Sequence, residues 1–257
     1  MIYDCFTFFN ELDLLEIRLH ELYNVVDKFV IIEADRTHSN LPKPFYYDLN
    51  KDRFKQFEDK IIHIKHEHTE LMYKGGSFDI DNATRDLAIS EIHYEPDDLI
   101  IIDDADQILR ASILENFIYN GPAKYETKYY YYYFNCVHNG GWYSTLIYKY
   151  KDMNKPLHEL RFNPPLELPF VYNAGWHFSY LGDIENIKLK VQSFSHAPEC
   201  FIPKFMNDEH LLDCLNTGKD LFDRGKEANM FFVPIDDSFP KYLVDNQEKF
   251  KEYIKQI

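Results

Sequence analysis

Four short apolar runs punctuate the first 104 residues of the chain: IYDCFTFF (2–9), KFVIIEA (28–34), KIIHIKH (60–66) and DLIIID (98–103). Apolar runs of this length, with little polar alternation, read as strands covered on both faces. Between the first two lies NELDLLEIRLHELY, where Leu12, Leu15, Leu19 and Leu22 recur at helical spacing and Asn10 is the expected N-cap. Strand, helix and strand within about 30 residues define a βαβ unit, whose crossover is right-handed. DIDNATRDLAISEIHY predicts a further helix just before the fourth strand. The pattern confines the first half to an α/β fold with a central, mostly parallel sheet flanked by helices.

After Arg110 the character changes. SILENFIYN predicts a helix stopped at Gly121-Pro122, and the aromatic runs AKYETKYYYYYFN and GGWYSTLIYKY are β-prone. A Pro-rich loop, RFNPPLELP, precedes the strand-like NAGWHFSYL. Asp183 is placed to cap a helix whose Ile184, Ile187, Val191 and Phe194 share a face, and NDEHLLDCLNTG and PKYLVDNQEKFKEYI predict two more. No internal repeat or long flexible linker divides the chain, so one mixed α/β domain over residues 1–257 is expected.

At 257 residues and 45% hydrophobic, the chain can bury a proper core. Its formal charge of −15 argues against non-specific binding to nucleic acid or anionic lipid, which relies on clustered Lys and Arg. An anionic substrate would need a metal ion or a local basic pocket. The four cysteines show no C-x-x-C spacing, the N-terminus has no basic leader, and no stretch is long enough to span a bilayer. A soluble, cytoplasmic-type protein with reduced thiols is the expectation.

One stretch resists a purely structural reading. LIIIDDADQILR drives an apolar strand into Asp103, Asp104 and Asp106, three carboxylates that repel one another unless something positive compensates them. In open α/β sheets ligands bind beyond the carboxyl ends of the strands, where Thr7 and Glu33 also end their runs. In extended chain Asp104 and Asp106 face the same way, and two hard oxygen donors suit Mg²⁺ or Mn²⁺. The competing reading is a solvated acidic turn capping a helix from Gln107. A haloacid-dehalogenase-type phosphatase also uses D-x-D after a strand, but near the start of the fold and with Thr or Val two residues on, where this chain has Ile108. In THSNLPKP, Lys43 is a candidate to meet phosphate, and an ordinary Pro-containing turn is the competing reading of the loop. HIKHEH lacks a clear further ligand for zinc, and in the Tyr129 to Tyr133 run only alternate rings share a face.

Taken in order, FFNELDLLEIRLHELYNVVDKFVIIEADRTHSNLPKP, DDLIIIDDADQILR, NAGWHFSYLG, KVQSFSHAPE, GKDLFDR and PKYLVDNQEKF cover nearly the whole chain and resemble glycosyltransferase family 17. The resemblance implies a GT-A type, Rossmann-like fold, with a nucleotide-sugar-binding half (1–110) and an acceptor-side half (111–257). It implies an inverting, metal-dependent glycosyltransferase that moves a sugar, N-acetylglucosamine being one candidate, from a UDP-sugar to a glycan hydroxyl. Asp104 and Asp106 match the D-x-D, the first near the ribose and the Mn²⁺ or Mg²⁺, the second a direct metal ligand. Thr7, Glu33 and Arg85 fall where such enzymes touch the nucleotide. His196, in SFSH, is the expected third metal ligand, and His177 and Glu185 are the candidate bases. The family's acidic motif usually runs D-x-D-E, and here Gln107 stands in place of the Glu. Two alternatives keep the same carboxylates: a phosphohydrolase of nucleotide sugars that uses water as acceptor, and a non-catalytic carbohydrate-binding relative. Oligomeric state is not legible.

Overall fold

The computed structural model describes residues 1–68 and 78–257. The strands are β1 (Ile2–Thr7), β2 (Lys28–Ala34), β3 (Ile61–His66), β4 (Leu99–Asp104), β5 (Gln107–Leu109), β6 (Ala123–Tyr131), β7 (Cys136–Lys149), β8 (Phe170–Ser179) and β9 (Phe231–Phe232). Among the described residues they form one sheet in the order β3-β2-β1-β4-β7-β6-β8-β5, with β9 paired to β7.

The first four strands are parallel, as the alternation with helices requires. Beyond β4 the expectation of a mostly parallel sheet fails. β7 runs antiparallel to β4 and to β6, β5 runs antiparallel to β8, and only β6 and β8 pair in parallel. The reason is connection length: the few residues between β6 and β7 can close a hairpin but cannot make a crossover. Tyr132, at φ 65°, turns the chain there.

The sheet order also dictates a curl. β4 and β5 lie four places apart, about 19 Å in a flat sheet at ~4.8 Å per strand. Yet Asp104 and Gln107 are joined by at most about 11 Å of extended chain. Only a sheet rolled back on itself satisfies both, and Thr145 on β7 accordingly donates to the Gln107 side chain on β5 at 3.2 Å. β5 replaces the helix expected from Gln107. It pairs through Gln107–His177, Ile108–Trp176 and Leu109–Gly175. A Cβ at Gly175 would stand 2.1 Å from the Ile108 carbonyl, so only glycine lets the two backbones approach.

Alternation along β4 sorts its residues between two cores. Ile101 packs with Leu15, Leu19, Phe29 and Ile31, while Ile100 and Ile102 pack with Val30, Ile32, Ala88 and Leu146. The helix Leu12–Leu22 covers the first face, its leucines each worth roughly 1.5–3 kcal/mol of burial. Asn10 does not cap it; the Glu11 carboxylate instead accepts the Phe9 and Asn10 N–H groups at 3.1 Å each. The helix predicted from SILENFIYN is only Ala111–Leu114, since Glu115 is extended and Asn116 has φ 56°. The predicted last helix shrinks to Lys241–Asp245. Its Tyr242 donates to Glu16 at 2.6 Å and stacks on His20, which docks the C-terminal segment onto the helix Leu12–Leu22.

A buried charge cluster ties these parts together. Arg18 binds both carboxylate oxygens of Asp4 on β1 and reaches Asp103 on β4 at 2.6 Å. It also donates to the carbonyls of Asp104 (3.1 Å) and Gln107 (2.5 Å), on either side of the acidic turn. All three side chains are within 1% of complete burial.

Candidate active site

Since Asp103 continues the face of Ile101, Asp104 turns to the other side and meets Arg85 from the helix Asp79–Ser90. The register sets Thr7 beside Asp104 at the ends of β1 and β4. These strand ends open onto a cleft of about 670 Å³. Thr7, Phe8 and Phe9 line it, as does an aromatic cluster of Tyr129, Tyr131, Trp142 and His177 in mutual ring contact.

The acidic pair is enclosed by cations. Asp104 receives Arg85 Nη2 at 2.7 Å on one oxygen, and Arg161 together with Gln107 Nε2 (2.9 Å) on the other. Asp106 takes Lys190 Nζ at 2.9 Å on Oδ2 and has His177 Nε2 3.4 Å from Oδ1. Burial would raise the pKa of Asp104, but Arg161 and Arg85 outweigh it and hold the carboxyl well below the usual range. Asp106 is held down in the same way by Lys190 and His177. Burial alone would lower the Lys190 pKa, yet Asp106 and Glu11 raise it, so the amine stays charged.

Within a chain of net charge −15, this cleft is lined by Arg36, Lys43, Arg85, Arg161, Lys190 and Arg224 against Glu11, Asp81, Asp104 and Asp106. Lys43 and Arg224 are in turn paired with Glu33 (3.5 Å) and Asp220 (2.6 Å), so Arg36 is the cleft cation with no carboxylate partner among the described residues. The aspartates and cations do not constitute a metal donor set. Both oxygens of each carboxylate already face cationic, amide or imidazole partners, and among the described residues no group of three or more His, Cys, Asp or Glu is placed to hold a metal ion.

The other expected site residues divide. Thr7, Lys43, Arg85, His177 and His196 line the cleft with the two aspartates. His196 stays apart from them, 58% exposed, with its ring edge-on to Phe78 and Glu199 4.0 Å away. Glu33 is fully buried behind the cleft, bonded to His63 at 2.8 Å and to the Tyr47 N–H at 3.1 Å. Glu185 is 81% exposed, paired among the described residues only with Lys188, and is not part of the cleft lining. Arg36, Arg161, Lys190 and Arg224 were missed by the sequence reading. Lys190 had a signal, since it falls three residues after Ile187 and four before Phe194 on the apolar side of its helix. Arg161, four residues after Leu157, had the same one.

Gln107 earns its own test. It is fully buried, its amide N–H donates to Asp104, and its carbonyl accepts from Ser144 at 3.1 Å and Thr145 at 3.2 Å. Gln107→Glu sets a carboxylate against a carboxylate and should cost about 1–3 kcal/mol. The new acid can relieve the clash only by binding a proton, so thermal melts should show a larger loss at pH 8 than at pH 5. Equal melting of the two proteins at both pH values would mean that the amide is not held as described.

The family model for glycosyltransferase family 17 matches residues 1–254, and the chain belongs to that family. Among curated proteins, the human and rat β-1,4-mannosyl-glycoprotein 4-β-N-acetylglucosaminyltransferases are each 32% identical to it over 120 residues, and the mouse protein of the same name is 31% identical. The aligned stretch is 44% of this chain and 22% of each relative. Among the described residues no helix is long and apolar enough to cross a membrane.

Proposed function

We propose that the chain is an inverting glycosyltransferase, a GT-A type domain over residues 1–257 whose sheet is mixed beyond β4. It moves a sugar from a nucleoside-diphosphate donor, with UDP as the first nucleotide to test, to a hydroxyl of a glycan acceptor. One observation carries this reading: six cationic side chains of a strongly acidic chain converge on a cleft at the carboxyl ends of β1, β2 and β4. The name of the relatives makes N-acetylglucosamine the first sugar to try.

In such a transfer the acceptor oxygen attacks the anomeric carbon while the bond from that carbon to the donor's phosphate oxygen breaks. The electron pair leaves with the diphosphate, and the acceptor's proton passes to a base. Fixed positive charge stabilises the departing group. His177 suits the base: it lines the cleft, Asp106 lies beside its Nε2, and its Nδ1 has no partner among the described residues. Trp142, 37% exposed beside the cleft, offers a ring face to the sugars. The metal dependence implied by resemblance is not part of this reading, because the carboxylates that would hold the ion are already engaged.

The test is a screen of nucleotide sugars, with release of nucleoside diphosphate measured with and without glycan acceptors. Acceptor-dependent release supports transfer. Release indifferent to acceptor favours the phosphohydrolase, and no turnover of any donor with any acceptor counts against an enzyme.

A further inference from the structure

Among the described residues, the buried polar atoms left unpartnered in the cleft are guanidinium Nε–H groups, two hydroxyls and the Nδ1 of His177, the nitrogen already assigned to the acceptor's proton. The Arg85 and Arg161 Nε–H groups are buried with no acceptor, although each guanidinium already binds Asp104 through Nη2. The hydroxyls of Thr84 and Ser193 are likewise unpartnered. No oxygen of Asp104 or Asp106 is among these orphans. Buried donors without acceptors are costly, and the two guanidinium Nε–H groups can be met only by acceptor atoms, which a cation does not supply. Arg36 adds to this capacity. It lines the cleft, and among the described residues its guanidinium donates only to the neutral Asn40 carbonyl and side-chain oxygen, at 3.3 Å each, and pairs with no carboxylate.

We infer that the donor's diphosphate is bound in this cleft by Arg36, Arg85, Arg161 and Lys190, and that Asp104 and Asp106 act as counter-ions holding those cations in place, with no divalent ion bridging aspartate to phosphate. This rests on the donor reading above and specifies how the donor's charge is met. An arginine has five N–H groups in a planar fork, so it can keep one carboxylate and still present donors to a phosphate. In the free protein the aspartates hold Arg85, Arg161 and Lys190 at the strand ends against mutual repulsion. When the diphosphate arrives, it takes up the remaining donors and shares the positive charge.

The two roles for the aspartates predict opposite results. Titration calorimetry with UDP, GDP, CDP and ADP should find at least one diphosphate that binds in EDTA, with an affinity that Mn²⁺ changes by no more than about threefold. Arg36→Ala should weaken that binding by about tenfold or more, through loss of charge-assisted hydrogen bonds. Asp106→Asn should leave binding intact or strengthen it, because Lys190 loses a competitor for the phosphate. Melting curves confirm that each variant is folded. Binding that appears only with Mn²⁺, or that disappears in Asp106→Asn, overturns the inference and leaves the donor reading standing. Unchanged affinity in Arg36→Ala also overturns it. No binding of any diphosphate in either condition removes both.

Discussion

Replacement of Arg18 by Met is expected to destabilise the protein by ~3–5 kcal/mol, a fall in melting temperature on the order of 10 °C for a chain of this size. Methionine keeps much of the volume, so packing contributes little to the loss. What is lost is the charge that makes Asp4 tolerable: a fully buried carboxylate whose two oxygens both bind the guanidinium. The carbonyls of Asp104 and Gln107 lose their donor as well, and the acidic turn is released. Asp103 should behave differently. Burial first, and the Asp4 charge beside it, raise its pKa well above the usual value of 3.8 despite Arg18. A carboxyl with a raised folded pKa contributes its full stability below 3.8 and loses it as pH rises through the folded value. Asp103→Asn removes that loss, so its melting temperature relative to wild type should climb with pH. A mild effect of Arg18→Met, or an Asp103→Asn deficit that deepens toward alkaline pH, would contradict this account of the cluster.

For activity, the largest expected loss is in His177→Gln, where kcat should drop by roughly 10²–10⁴-fold while diphosphate affinity stays near wild type. The imidazole stacks on Tyr129, with ring centroids 4.7 Å apart and planes within 19°, and Asp106 lies beside Nε2. Both contacts fix its orientation, and Gln retains a polar side chain of comparable length without a titrating nitrogen. A merely structural histidine would disturb donor binding and stability together with turnover. Retention of kcat within about threefold would remove His177 as the base.

Much of the first half was legible because local period and length settle it. The strands β1 to β4 fall on the apolar runs, and alternation alone separates Asp103 from Asp104. The helix cap at Asp183 also follows from residue type, its side chain accepting the N–H three residues on. β5 was not legible: three residues carry no period, and pairing with β8 some 70 residues later decides their state. The partners of the aspartates were hidden for the same reason. Arg161 lies 57 residues beyond Asp104, and Lys190 lies 84 beyond Asp106. Glu185 shows the converse error. A carboxylate in a first helical turn has a helix-end role wherever that turn points, and here it points to water.

The short link between β4 and β5 also has a mechanical consequence. It spans the seam where the rolled sheet nearly meets itself, and it has little slack. A residue inserted between Asp104 and Gln107 would have to bulge into the cleft or push β5 out of step with β8; a deletion would strain the seam. The spacing of the two aspartates is thus partly a building dimension, one the architecture would demand even of a variant stripped of its chemistry.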